Sequence, residues 1–514
     1  MKKGRVLLTL TLTLLATSVA WAQEDATPPP ATVPVPAFGP ETPALPVSDN
    51  PPISGLDQPG LEPHAAPESF LLPGLHFSES VDSNVGNNLG NSSTGIVTRG
   101  MGSLTLQKLW KNYDVAVDYI GGVADYANVG VGLEQLQQLD MDNRITWKRG
   151  QMGIRDSFSY LPEGNFGFGA YGGGSAYNAG FGSLGSGMLG SGAFGGTSSA
   201  FNGGSGITIG EIPRLTNLGL VDVVEDLSPK SAITAVVGYG LVHFYDDLTS
   251  SVTGAPVNVN FIGSREETGQ IGYDRVLNAK DQIALSYGYQ GFDFSTAGTA
   301  FHSNVIQLMY GHRISGRMDF MIGAGPQFTH IDSNASECSF LGIPVETLPG
   351  ECFTDTFVTV HQSVNHIGAA GRISLRYRFS KASVSLSYQR FTTSGNGVFA
   401  GSLSDIVHAD VQRRITRVWD FFSDFGYSKN SRVQLAGSTI AANKFQDGYA
   451  GAGLHRQFGR SLRGFVSYQY NYLSFDTQCP IPGTSTALGN CSNHSQRSVG
   501  SIGLDWTPRP IRLD

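Results

Sequence analysis

Charge is scarce in this chain of 514 residues: Asp, Glu, Lys and Arg make up 15%, against roughly 25% in an average soluble domain. Long apolar runs are missing too. Beyond the N-terminus nothing approaches the roughly 20 apolar residues of a transmembrane helix. Mean hydropathy is only −0.09, which speaks against a helical membrane bundle. Cysteine is rare, at four residues with no CxxC among them. Zinc-ribbon spacing and thioredoxin-type redox motifs are therefore absent. No G-x-S-x-G elbow, phosphate loop or EF-hand occurs. The net charge of −8 argues against nucleic acid as a partner. Neither a cofactor nor a metal is expected, and the chemistry of an enzyme is not visible.

What the chain does have is glycine, 66 residues of it, where about 7% is usual, and a strict period of two. In Ala382–Gln389 one face reads Ala, Val, Leu, Tyr and the other Ser, Ser, Ser, Gln. Gln282–Tyr289 and Val466–Tyr472 repeat the pattern. Such alternation marks strands with apolar surroundings on one side only. Eight short polar joints punctuate it: Lys111-Asn112, Lys148–Gly150, Ser228–Lys230, Asn278–Lys280, Ser315–Arg317, Ser380-Lys381, Thr416-Arg417 and Gly459–Ser461. Long stretches rich in Gly, Ser, Thr and Asn separate them. Tight turn, strand, long loop, strand is the rhythm of a transmembrane β-barrel.

The predicted fold is therefore all-β: a closed antiparallel barrel of about 18 strands over 75–510, the first near 76–87 and the last near 496–507. Sixteen strands stay possible, because the first strand and those near 214–227 and 445–458 alternate poorly. With eighteen strands, eight turns and nine loops, both termini fall on the turn side, which in such barrels is the periplasm.

Residues 1–22 read as an export signal, with Lys2, Lys3 and Arg5, an apolar stretch from Val6 to Leu15, and Ala20-Trp21-Ala22 for cleavage. Residues 23–74 read as a disordered, acidic, Pro-rich periplasmic linker. From 23 to 72 there are thirteen prolines, seven acids and no Lys or Arg, too little apolar surface to build a core. It serves as a spacer or as a ligand for a partner.

Cys338 and Cys352 share one predicted loop, Cys479 and Cys491 another. An even count in an exported chain points to disulfides, and pairing within each loop is the simplest of the three connectivities. His494 stands alone beside them, which disfavours a metal. The histidines at 243, 312, 330, 361, 366, 408 and 455 are scattered over separate strands, without a Ser or Asp at fixed spacing.

Two features carry the functional expectation. The first is the wall of the lumen. In Arg372–Phe379 the apolar Ile373, Leu375, Tyr377 and Phe379 face lipid, so Arg372, Arg376 and Arg378 point inward. A charge left facing lipid near the midplane costs about 2–4 kcal/mol. Arg313, Arg390 and Arg414 are expected on the same wall, with Asp319, Asp410, Asp420 and Asp424 as counter-charges. Rings of Arg favour anions in pores, and a salt-bridge network that shapes the barrel is the alternative use. The pore-lining candidates are Arg372, Arg376, Arg378, Arg414 and Asp410. The second feature is the 162–210 loop, the third on its side. From Gly164 to Gly206 it holds seventeen glycines, interspersed aromatics and no charge. Constricting the lumen, stacking on polysaccharide and lying disordered outside the cell all stay open for it.

The chain resembles general bacterial porins in placing its largest loop third, although their constriction loops are acidic and this one is neutral. The stretches Asp156–Glu163, Gly323–Gln327 and Gly503–Pro510 resemble uncharacterised outer-membrane β-barrel proteins of acidobacteria. The segment Ser498–Trp506 resembles the aromatic-terminated last strand that barrel-insertion machinery reads, with Thr507–Asp514 added beyond it. No function travels with these short motifs; barrels of 16–18 strands usually leave an aqueous channel, so the expectation is a porin-like channel in the outer membrane of a Gram-negative cell. It would pass small polar or anionic solutes, with lipid, the insertion machinery and possible copies of itself as partners. The alternatives are a non-conducting barrel that displays loops or assists polysaccharide export, and, further off, a barrel enzyme.

Overall fold

The computed structural model describes residues 52–55, 69–85, 94–127, 132–161, 214–245, 248–249, 256–257, 263–294, 298–340, 343–344, 357–393, 401–432, 444–476 and 494–513. All belong to one compact unit, Pro46–Asp514. Eighteen long strands follow one another: β1 (Phe70–Asp82), β2 (Gly95–Leu109), β3 (Tyr113–Ala127), β4 (Gly132–Trp147), β5 (Gly150–Leu161) and β6 (Arg214–Ser228). Next come β7 (Ser231–Phe244), β8 (Ser264–Val276), β9 (Asp281–Phe294), β10 (Thr299–Ser315), β11 (Met318–Phe340) and β12 (Phe357–Arg378). The last six are β13 (Ala382–Thr393), β14 (Ser402–Arg414), β15 (Trp419–Arg432), β16 (Lys444–Phe458), β17 (Leu462–Phe475) and β18 (His494–Trp506). Each pairs antiparallel with its sequence neighbours. The ring closes where β1 meets β18, with Leu75 opposite Trp506 and Asp82 opposite Val499. The fold is thus the closed antiparallel 18-strand barrel that the period-two pattern predicts. Strands about 4.8 Å apart and tilted about 40° close into a ring roughly 35 Å across.

All eight joints are hairpin turns, and local chemistry explains several of them. Asn278 accepts hydrogen bonds from the backbone N–H of Lys280 (2.8 Å) and Asp281 (3.0 Å), and Thr416 does the same for Val418 and Trp419 (3.3 and 3.1 Å). These are the side-chain turns that Asn and Thr form readily. Gly459 adopts φ +76°, a left-handed value that favours glycine.

The two faces of the wall differ sharply. Outward-facing apolar side chains are open over long stretches: Leu75 and Phe77 on β1, Ile271 on β8, Leu285 on β9, Leu308 on β10, Ile502 and Leu504 on β18. Trp110, Tyr113, Trp147, Phe379, Phe458 and Trp506 ring the turn end. An apolar band edged by an aromatic girdle is the surface that lipid covers. Inward faces are polar and mostly buried, for instance His76, Ser78, Ser80 and Asp82 along β1.

Two prolines mark irregular places. β1 starts at Phe70, earlier than alternation alone indicates. It pairs with β18 only from Leu75, and with the short Ile511–Arg512 segment only at Phe70 and Leu71. Pro73, with no N–H to give, sits in that gap. Pro326, in the Gly323–Gln327 motif, marks a break in the β10–β11 ladder, which skips Gly325 and Pro326. Gly325 brings its backbone against the carbonyl of Ile306, where a Cβ has no room.

The 162–210 loop and Cys352, Cys479 and Cys491 lie outside the described residues, as does the side chain of Cys338. The signal at 1–22 and most of the linker at 23–74 lie there as well.

Candidate functional site

The candidate site is the lumen wall, because period two sends every other side chain inward. On β12, Arg372, Arg376 and Arg378 share the inward face, opposite the exposed Ile373. Their surroundings differ. Arg376 is held in a fork by Asp319 on β11, with Nε to Oδ1 at 3.0 Å and Nη2 to Oδ2 at 2.7 Å. Its side chain keeps 22% of its surface open. Arg378 lies next to the turn. Arg372 is 4% exposed, and its Nη2 donates to the carbonyl of Ile53 at 3.2 Å.

Arg414 also points inward but near the turn-side rim, 3.6 Å from Asp420, with both side chains mostly open. Arg390 departs from expectation. Register places it opposite Gly371 and Asp405, on the face shared by Tyr388 and Ile373, so it points outward. There it pairs with Asp405 at 3.3 Å, and Asp405 also accepts from the Tyr388 hydroxyl at 2.7 Å. This outward pair sits toward the loop ends of β13 and β14, where a charge costs far less than at the midplane.

Beside the basic strip runs an acidic one. Asp410 on β14 stands opposite Asp424 on β15. Ser385 donates to Asp410, and His408 Nε2 lies 2.8 Å from Asp424 Oδ2. Further along, Asp447 on β16 accepts from Ser428, and from Asn430 at 3.1 Å. The lumen therefore presents paired, positioned charges of both signs, the kind of wall that orders water and ions.

Residues Pro52–Gly55, expected within a disordered linker, lie inside the barrel against β7–β12. Asp274 Oδ1 accepts from the backbone N–H of Ile53 (2.8 Å) and Ser54 (3.1 Å). The Ser54 hydroxyl donates to Asp274 Oδ2 and is 2.6 Å from Thr234 Oγ1. Gln270 Nε2 donates to the Ser54 carbonyl at 2.5 Å. Ile53 packs with Ala284, Met309 and Met321 in a small apolar cluster. Sequence reasoning missed Asp274, Gln270 and Thr234. Each sits in an ordinary alternating strand, and the partners are 180 to 221 residues apart in sequence.

At the seam another set converges that spacing does not reveal. His76 on β1 places Nε2 2.8 Å from Ser103 Oγ on β2 and Nδ1 3.2 Å from Asp505 Oδ1 on β18. Arg463 Nη2 holds the other oxygen of Asp505 at 3.1 Å. Gly74 leaves room for the contact, since a Cβ there falls 2.5 Å from Ser103 Oγ. The order Ser, His, Asp matches a hydrolytic triad. The adjacent backbone N–H groups, however, belong to the β1–β2 and β1–β18 ladders. The three side chains lock the seam by tying β18, β1 and β2 together. Toward the loop end of the same seam, Arg497 grips Asp82 Oδ2 at 2.7 Å through Nε and 2.5 Å through Nη2.

The fold and this wall together define a class: a membrane-spanning β-barrel with a polar, charged lumen. No family model matches the chain, and no curated protein does. Among solved structures, similarity is found to the ferric-catecholate import receptor Fiu of E. coli K12, in its open form. Identity there is 9%, coverage is 87% of this chain and 82% of that one, and the TM-score is 0.39. It is also found to Pseudomonas aeruginosa OccK2 (OpdF) in complex with glucuronate, with 9% identity, coverage of 87% and 98%, and a TM-score of 0.38. Acinetobacter baumannii OccAB3 follows with 9%, 86% and 99%, and 0.36. These scores are too low to carry an assignment, which rests on the strand geometry.

Proposed function

We propose that this chain is an outer-membrane channel, a porin-like pore through which small polar or anionic solutes diffuse passively. The observation that supports it is the contrast between an apolar outward belt and a charged inward wall in a ring of eighteen strands. Barrels of this size hold water when side chains alone line them. Side chains reaching about 5 Å inward leave a bore of at most roughly 25 Å across, and buried inward side chains such as Glu266 and Gln290 leave less of it open. In this reading the turns and both termini face the periplasm, and insertion machinery recognises the last strand up to Trp506. Arg376, Arg378, Arg414 and Asp410 tune which ions pass. Arg372 contributes only when Ile53 is not on it.

The test is conductance of the purified, refolded protein in planar bilayers. Discrete conductance steps are expected, and a silent bilayer with proven insertion overturns the channel. A second reading, a non-conducting barrel, is favoured by one observation: Ile53 and Ser54 are buried inside the lumen. The same recording separates the two.

A further inference from the structure

The wall beneath Pro52–Gly55 is shaped to receive them. One carboxylate, Asp274, collects two successive backbone N–H groups and a hydroxyl from Ile53 and Ser54. Backbone donors in sequence followed by a side-chain donor are the signature of a bound peptide rather than of a chance contact. Gly272, on the same face of β8, has no side chain where the segment crosses. A Cβ there collides with Ser54 Oγ, and lies 2.5 Å from Ser54 Cβ and 2.7 Å from Thr234 Oγ1. Arg372 closes the recess from β12 by donating to the Ile53 carbonyl. The recess is centred on β10, the strand diametrically opposite β1 in the ring.

We propose that Pro52–Gly55 is a strap, an intramolecular peptide ligand of the lumen wall held at Asp274, and that its occupancy narrows the turn-side half of the pore. The proposal rests on the channel reading above. Docking is reversible on physical grounds. The hydrogen bonds replace ones made to water, and ordering four residues opposes them. Pro52–Gly55 is a turn, whose ends lie within about 7 Å and which with its side chains measures about 10 Å by about 10 Å. Against a bore of at most roughly 25 Å, it covers about a fifth of the opening or more. Release therefore raises conductance by at least about a quarter.

Two measurements on the full chain test this. Ser54→Cys with Thr234→Cys places two thiols where hydroxyls stand 2.6 Å apart, within disulfide reach. Mild oxidation of the vesicle-inserted barrel is expected to join the two peptides, as read by mass spectrometry, and to leave conductance at the wild-type level. Gly272→Leu fills the recess, and Asp274→Ala removes the acceptor. Both are expected to conduct at least about a quarter more than wild type. Absence of the cross-link in an inserted barrel overturns the proposal, and so does wild-type conductance in both single variants. If no protein conducts, the channel reading and the strap's effect on it fall together, while the cross-link still decides where Pro52–Gly55 sits.

Discussion

Reversing the charge at Arg376 gives a graded test of the lumen wall. Arg376 stands on the inward face of β12 with part of its side chain open to the bore and its guanidinium shared with Asp319. Arg376→Glu changes the local charge by two units, and an ion passing about 10 Å away in water feels about 0.4 kcal/mol per unit. A cation gains what an anion loses, so the unscreened difference between them is about 1.6 kcal/mol, more than tenfold in permeability ratio. At ~0.1 M salt the Debye length is also about 10 Å. Screening then leaves roughly a third of that energy, a threefold shift toward cations. The assay is the reversal potential across a salt gradient in planar bilayers, repeated at ~0.01 M, where the shift is expected to grow. Arg376→Gln is expected to give about half the change in energy, and Asp319→Asn a shift of the opposite sign. A conducting Arg376→Glu pore whose reversal potential matches wild type at both salt levels refutes the placement of Arg376 on the conducting wall.

Three further outcomes follow from the same geometry. Leu285, 54% exposed on the outward face of β9, is expected to lose about 2–4 kcal/mol of stability on Leu285→Arg. Urea titration in vesicles measures this, and a neutral result moves that face away from lipid. Arg497→Ala strands Asp82, which is 1% exposed, and is expected to cost about 3–5 kcal/mol. The loss appears as a lower melting point by heat-modifiable gel mobility, while an unchanged melting point removes the pair from the seam. Ser103 is expected to resist a fluorophosphonate probe, because the strand that carries it is paired on both sides, with β1 and β3. Labelling abolished by Ser103→Ala contradicts the seam-lock reading and makes the barrel a hydrolase.

Much of the architecture was legible from local pattern. Period two reports which side chains share a face, and it placed Arg372, Arg376 and Arg378 together without any coordinates. Turn chemistry at Asn278, Thr416 and Gly459 identified the hairpins. Arg390 is misplaced against the chain's own pattern: carried one residue further, the alternation of Ala382–Gln389 sets it on the apolar face with Val384, Leu386 and Tyr388. Its pairing with Gly371 and Asp405 places it there. The start of β1 at Phe70 was hidden by Pro73, which reads as a breaker until the gap in the β18 ladder is known. His76, Ser103 and Asp505 come from three strands at the two ends of the chain. No spacing rule joins them, because their proximity is a consequence of closure.

The sequence by itself determined the element type, the short-turn side and the polarity of each face, and it narrowed the strand count to eighteen or sixteen, between which the pairing decided. All of these follow from backbone alternation and turn propensities acting over a few residues. Tertiary structure decided what the charges do. Register fixes whether an arginine meets an aspartate, a carbonyl or water, and it is set by neighbouring strands rather than by the strand itself. The same holds for Pro52–Gly55. Composition describes that segment as unable to build a core of its own, and the barrel supplies one through Asp274, Gln270 and Thr234. A polar segment without a core becomes ordered when a closed wall satisfies its backbone donors, and only the folded ring brings that wall into being.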